Sequence, residues 1–245
     1  TVRLDGDPYP DVVVASPDSF LRVYSGRDGR LLRTVPTLGP PVQAGPAVGD
    51  LNSNGMPDVV LRGAFDTTIA LHLDSEDHDW AFQFAEGGAM PREFKAPWVV
   101  LADLDGDEHP DPVLGAGDDR VIAFRGRDHR QLWVHKDPAL VPLGPTVADL
   151  DGDGLTELLC ISMKGEAYAL SPREGKRTWS LPLGSQPGVP VALADLDRDG
   201  TPDMIFGLKG RVRAYSGKSR EPLWTRDLGS DNPLSVVPGD AARAG

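Results

Sequence analysis

Side-chain oxygens in this chain are concentrated in five nine-residue segments, at 3–11, 50–58, 103–111, 149–157 and 195–203. Within each segment, numbered one to nine, they fall at positions one, three, five and nine. The first segment contributes Asp5, Asp7 and Asp11, and the second Asp50, Asn52, Asn54 and Asp58. The third has Asp103, Asp105, Asp107 and Asp111, and the fourth Asp149, Asp151, Asp153 and Glu157. Asp195, Asp197, Asp199 and Asp203 complete the set in the fifth. Position seven varies freely (Tyr9, Met56, His109, Leu155, Thr201), which points to its backbone carbonyl as the ligand rather than its side chain. Alternating oxygens on a tight turn suit a hard cation that collects roughly six to eight of them, so calcium is the expected cofactor.

The flanking chemistry agrees. Glycine at position four or six permits the turn, and proline at position eight in four of the five segments presets the backbone before the last ligand. An EF-hand is excluded, because the residue twelve places along is Cys160 in the fourth loop and Phe206 in the fifth, where a glutamate is required. Ordinary Asp/Gly turns do not need four oxygens at fixed offsets, and the pattern returns five times. The loops are unequal, however. Loops three to five bring four carboxylates each, whereas loop one has Arg3 at its first position and loop two replaces two carboxylates with Asn52 and Asn54. Ligand charge tunes calcium affinity, so these two are expected to bind weakly or not at all. Residues 240–245 align with the fifth loop as a degenerate sixth, its ligands replaced by Ala242 and Ala244.

The net charge of −12 is mostly a property of these loops. They hold 17 of the 37 acidic residues at ligand positions, leaving 20 acidic against 25 basic elsewhere. That distribution argues against a nucleic-acid partner. No apolar run reaches the length of a membrane span, so no membrane insertion is expected. The single cysteine, Cys160, sits in an apolar run and reads as a buried core thiol. The chain opens at Thr1, part-way through a motif, and is expected to be a mature product or a piece of a longer protein.

Taking the third loop position, the steps between loops are 47, 53, 46 and 46 residues. Each loop is followed by a short β-branched or aliphatic run such as Val12-Val13-Val14 or Leu158-Leu159-Cys160-Ile161. A second run follows (20–24, 68–71, 121–124, 166–170, 211–215), then a third around residues 31–33, 80–82, 132–134, 178–180 and 223–225. The run entering the next loop, for example Thr146-Val147-Ala148, makes four strands per repeat. No helical periodicity interrupts them. Strand quartets at this period predict an all-β fold, a β-propeller of about five four-stranded blades occupying 1–245 as one domain. Trp80, Trp133, Trp179 and Trp224 stand at a constant offset in four repeats and read as packing between blades. Trp98 and the insertion at 82–94 break that phase and are candidates for a binding face. Residues 233–237 look like a strand that could pair with Val12-Val13-Val14 and close the ring.

With strand, acidic loop and following strand combined, the chain resembles the FG-GAP/VCBS repeat family, the calcium-loop propeller type also seen in integrin α-subunit heads. The resemblance implies structural calcium at the loops and an extracellular or cell-surface location. It also implies a non-catalytic scaffold of adhesion type, with a protein or glycan as partner. A carbohydrate-binding or polysaccharide-lyase propeller is the alternative, and Tyr24-Ser25-Gly26 and Tyr215-Ser216-Gly217 also look like segments of quinone-dependent redox propellers. Catalytic constellations are otherwise missing from the sequence. The five histidines show no metal-ligand spacing, no Gly-x-Ser-x-Gly elbow occurs, and Gly217-Lys218-Ser219 lacks the upstream glycine of a phosphate loop.

Overall fold

The computed structural model describes residues 3–37, 46–62, 67–73, 78–83, 98–116, 120–137, 144–229 and 235–238. Nineteen strands and no helix appear among them, in five antiparallel sheets. Sheet 1 contains β1 (Val12–Ser16), β2 (Phe20–Tyr24) and β3 (Leu31–Pro36). Sheet 2 contains β4 (Ala47–Gly49), β5 (Asp58–Arg62), β6 (Thr67–His72) and β7 (His78–Gln83). Sheet 3 contains β8 (Val99–Ala102), β9 (Asp111–Ala116), β10 (Arg120–Phe124) and β11 (Gln131–Lys136). Sheet 4 contains β12 (Thr146–Ala148), β13 (Glu157–Ser162), β14 (Glu166–Leu170) and β15 (Arg177–Pro182). Sheet 5 contains β16 (Ala192–Ala194), β17 (Asp203–Leu208), β18 (Arg211–Tyr215) and β19 (Pro222–Asp227). In every sheet neighbouring strands are consecutive in sequence, the up-and-down order of a propeller blade.

The strands group into two compact units, Thr1–Leu140 with Arg173–Gly175, and Val141–Pro172 with Lys176–Gly245. Sheets in each unit are apolar on both faces, which is why the strands read as continuous aliphatic runs rather than alternating ones. In the first unit, Val13 and Ala15 of sheet 1 pack against Val59 and Leu61 of sheet 2. Val60 and Ala70, on the other face of sheet 2, meet Leu114 and Ile122 of sheet 3. In the second unit, Leu159 and Ile161 of sheet 4 pack on Met204, Phe206 and Leu208 of sheet 5. Cys160 is fully buried in β13, as a core thiol should be.

Each sheet repeats one irregularity. The register between its last two strands slips at Val23/Tyr24, Ala70/Leu71, Ala123/Phe124, Ala169/Leu170 and Ala214/Tyr215. In sheets 1, 3, 4 and 5 the bulge leads into a turn closed by the amide of its first residue, as in Ser25 N–H to the Arg30 carbonyl at 2.8 Å and Ser216 N–H to Glu221 at 2.9 Å. The fifth residue of that turn is left-handed in all four: Gly29, His129, Gly175 and Arg220.

The expected strand at 233–237 does not form as anticipated. Residues 233 and 234 lie outside the described residues, and 235–238 carry no strand. Val236 packs instead on the outer face of sheet 5, beside Leu223 and Trp224. Sheet 1 therefore has three strands, with β1 at an edge that no strand covers among the described residues. The apolar Val236 gains more by lying on an aliphatic face than the segment would from edge pairing, since Pro233 and Pro238 bracket it and neither can donate to a ladder.

The tryptophans do packing work. The Trp133 indole lies so close to Gly175 that a Cβ there would meet it at 2.4 Å, and the Arg220 guanidinium stands over Trp179 at 5.3 Å from the ring centre. Trp98 precedes β8 and covers Gly115 of the neighbouring strand, where a Cβ would come within 2.5 Å of the ring. That contact accounts for its broken phase: it is a cross-strand aromatic over a glycine. The side chain of Trp80 and the insertion from 84 to 94 lie outside the described residues.

Candidate metal centre: the acidic loops

Each acidic loop is drawn inward by its own backbone amides. The position-one carboxylate accepts from positions four to six: Asp103 from Gly106 at 2.8 Å and Glu108 at 3.0 Å, Asp149 from Gly152 at 2.7 Å and Gly154 at 2.9 Å. Asp50 and Asp195 do the same for Gly55 at 2.9 Å and Gly200 at 3.1 Å. Position five accepts from the amide of position seven in all five loops, through Asp7, Asn54, Asp107, Asp153 and Asp199 at 2.7–3.0 Å. Position three caps position five through Asp5, Asn52, Asp151 and Asp197. To wrap this tightly, loops two to five hold two left-handed residues, at positions four and six, and one of each pair at least is glycine. Loop one departs: Gly6 is left-handed, but position six is Pro8, whose ring forbids positive φ, and Arg3 replaces the first carboxylate.

Position-seven side chains differ in exposure. Tyr9 is 49% and Leu155 52% exposed, which fits a residue contributing backbone rather than side chain. Met56 and His109 are half-buried, and the His109 ring meets Ser53 Oγ of the preceding loop at 2.7 Å. Thr201 is buried and its hydroxyl donates to Asp199 at 2.5 Å.

Position nine has a role that spacing alone did not disclose. Its carboxylate is buried, at Asp11, Asp58, Asp111, Glu157 and Asp203, and accepts the amide of position two, which is leucine in every loop. The other oxygen reaches forward to the hairpin turn. Asp11 accepts from Gly26, Asp111 from Gly126 at 2.8 Å and Asp203 from Gly217 at 3.1 Å. Those glycines lie against the carbonyl of position eight: a Cβ would sit 1.8 Å from Pro10 O, 2.1 Å from Pro110 O and 2.1 Å from Pro202 O. Two repeats solve the same problem differently. In repeat two the His72 ring takes the place of the glycine amide and bonds Asp58. In repeat four the turn carries Pro172, which has no N–H to donate, and the carboxylate is the longer Glu157. The only signal for this staple in the sequence is the Gly or Pro standing 14 or 15 residues after position nine.

Three of the loops bring carboxylates together closely enough to share an ion. Oxygens of Asp103, Asp105 and Asp111 lie within 4.8 Å of one another, as do those of Asp149, Asp151 and Glu157, and those of Asp195, Asp197 and Asp199. Ligand oxygens on opposite sides of a calcium ion are about twice 2.3–2.6 Å apart, so each group is close enough to share one cation. These are the three loops with four carboxylates each, and Asp203 stands outside the third group. The donor set is all oxygen, which selects hard cations over zinc or copper. Within loop three the fit is supported by an orphan. Arg125 donates to Asp105 Oδ2 at 2.8 Å, while Asp105 Oδ1 is buried with no hydrogen-bond partner. An acceptor left so is costly unless a cation or donor meets it. When bound, calcium would supply the positive charge that this oxygen and its neighbours lack.

Electrostatics in the same loop point the same way. Burial pushes the Asp111 carboxyl up to about 6, against the lowering effect of its two amide bonds, with Asp105 and Asp107 adding repulsion. Burial likewise raises Asp58 and Glu157. Because the folded value lies above the ordinary 3.8, the calcium-free protein loses this contribution to stability as pH rises from about 4 to about 6. Asp18, Asp28, Asp128 and Asp199 are lowered, so their contributions vanish only below that window. Melting the calcium-free protein at pH 5 and pH 7 should therefore give the lower temperature at pH 7, and added calcium should flatten or reverse the difference. A calcium-free protein more stable at pH 7 than at pH 5 would contradict this account of Asp111.

The fold and its loops have parallels among known proteins. Residues 3–61 and 149–206 match the family model for the FG-GAP-like repeat. No curated protein sequence matches the chain significantly. Among solved structures, BamB from Moraxella catarrhalis superposes with a TM-score of 0.65 at 16% identity, over 95% of this chain and 66% of that one. BBS1N, solved in complex with ARL6DN, gives a TM-score of 0.62 at 17% identity, over 93% of this chain and 67% of that one. The chain thus spans about two thirds of the length of these structures. At such identities the likeness is one of fold. Residues 3–61 and 149–206 thus carry FG-GAP-like repeats, in a chain whose sheets have the β-propeller-type fold.

Proposed function

We propose that the chain is a calcium-stabilised, non-catalytic propeller scaffold that presents a binding surface to a protein or glycan outside the cell or at its surface. The observation that carries the reading is the loop-three cluster, where three carboxylates converge and Asp105 Oδ1 is buried without a partner. Acids in these loops are consumed by loop geometry and cation binding, which leaves none placed as a general acid or base. The relative solved with a bound protein, BBS1N with ARL6DN, favours a protein ligand over a glycan for a fold of this kind.

Calorimetric titration with calcium tests the reading directly. Saturable binding of about three ions is expected, from loops three, four and five. Asp105→Ala should weaken the loop-three site by roughly tenfold or more, whereas Asn52→Ala should leave the strong sites untouched. Absence of any calcium heat at millimolar concentration would remove the metal from the proposal.

A further inference from the structure

Position three is the loop acid that arginines approach. Arg30 reaches Asp5 of loop one at 3.9 Å, Arg125 reaches Asp105 of loop three at 2.8 Å, and Arg220 reaches Asp151 of loop four at 3.6 Å. Each arginine belongs to the turn between the last two strands of a sheet. In loop two the position is the neutral Asn52, and Asp197 of loop five makes no ion pair among the described residues.

The three contacts differ in kind. Arg30 is 64% exposed, so water screens it. Arg220 is held elsewhere: its Nη1 donates to the Lys218 carbonyl at 2.6 Å, and its guanidinium stands over Trp179. Arg125 instead directs both Nε and Nη2 at one oxygen, Asp105 Oδ2, and the two side chains are only 27% and 20% exposed. That grip changes the loop. In the other four loops the position-three oxygen caps the amide of position five. In loop three the Asp107 amide turns to Asp103 at 3.2 Å, and Asp105 Oδ1 is left buried with no partner. Arg125 has drawn Asp105 out of its own loop's bonding. Loops three, four and five carry equal numbers of acids, so ligand charge alone ranks them as equals. A fixed positive charge a few ångströms from a divalent-cation site weakens it on the order of tenfold near a protein surface.

We infer that Arg125 is a tethered competitor for the cation of loop three, and that it makes this loop the calcium-responsive one. Its guanidinium neutralises Asp105 when calcium is scarce and lowers the affinity of that loop alone. Loops four and five, whose position-three acids are gripped weakly or not at all, stay filled at lower calcium. The inference rests on the calcium reading of the loops and adds a rank order among them. An arginine that only oriented Asp105 would have the opposite effect, because its removal would weaken the site.

Calorimetric titration of the whole chain with calcium separates the two roles. The parent should bind two ions tightly and a third more weakly, on the order of tenfold or more. Asp105→Asn should remove the weak class and leave the tight pair. Arg125→Ser installs the residue that opens three of the other turns, as Ser25, Ser171 and Ser216, so the fold accepts it there. That variant should tighten the third ion on the order of tenfold, whereas Arg125→Lys, which keeps the charge, should leave it weak. Arg125→Gln repeats the test with a longer uncharged side chain if the serine variant folds poorly. Melting gives a second readout. In chelator Arg125→Ser should melt below the parent, because Asp105 loses its counter-charge, and in excess calcium the two should converge. A turn that was merely damaged would melt lower under both conditions, which would count against the inference. Three ions of equal affinity in the parent overturn it. So does a weak class that survives Asp105→Asn, or a third site that Arg125→Ser weakens or leaves unchanged. In those results calcium still binds; the absence of any calcium heat would instead overturn the calcium reading, and the inference with it.

Discussion

Chelating calcium should lower the melting temperature of this protein by at least roughly 10 °C, with the larger shift in the unit holding sheets 4 and 5. The argument is one of mass action. An ion present at a hundredfold excess over its dissociation constant stabilises the folded state by about 2.7 kcal/mol per site. For a unit of about a hundred residues, each kcal/mol moves the midpoint by about 4–8 °C. The second unit contains two carboxylate clusters, around Asp149 and Asp195, and the first unit one, around Asp103. Differential scanning calorimetry with and without chelator reads both shifts, and excess calcium should restore them. If the units unfold in separate transitions, the one with two clusters moves further. Coincident, unmoved melting curves would mean that the loops are held by their amide bonds alone.

The second large effect concerns a residue with no side chain. Gly217→Ala should destabilise the protein by about 3 kcal/mol or more, near the upper end for a point substitution. Its Cβ would stand 2.1 Å from the Pro202 carbonyl oxygen and 2.8 Å from that of Leu150, and neither backbone group can rotate away. Relief requires moving the turn, which breaks the Gly217 amide bond to Asp203 at 3.1 Å and strands a buried carboxylate. Gly6→Ala is the matching control: Gly6 is left-handed at φ 76°, but nothing lies within 4 Å of the added carbon. Only the conformational cost of about 1–2 kcal/mol should appear there. Urea denaturation of the two variants compares them, and equal losses would show that crowding at Gly217 is absorbed elsewhere.

Much of this architecture is legible in the sequence because it is local. An acidic loop is defined by residues within nine positions of one another, and the aliphatic runs after it are strands whose period and length the chain states directly. The indoles at constant offset read correctly as packing groups, as Trp133 and Trp179 show. Position nine was legible as an acid but not as a staple. Its partner lies across a complete hairpin, and the interval depends on how each β-turn is built, so Gly26, Gly126 and Gly217 look like ordinary turn glycines. The His72 substitution for that glycine is less readable still, because a different residue type delivers the same bond. The segment around Val236 misled for a related reason. An apolar stretch near an acidic motif has the composition of a strand, but whether it joins a ladder or lies on a face depends on which surface is left open.

The double duty of position nine has a consequence for how such repeats age. A loop that loses its ion is released from holding charge at positions one, three and five, and substitutions there become nearly neutral. Position nine and its turn glycine are not released, because they still tie the loop to its hairpin. Loop one has the composition this expectation describes: Arg3 and Pro8 stand where the other loops have an acid and a left-handed residue, while Asp11 keeps its bonds to Leu4 and Gly26. A lineage of such repeats that does bind a metal should therefore forget it long before it forgets its shape.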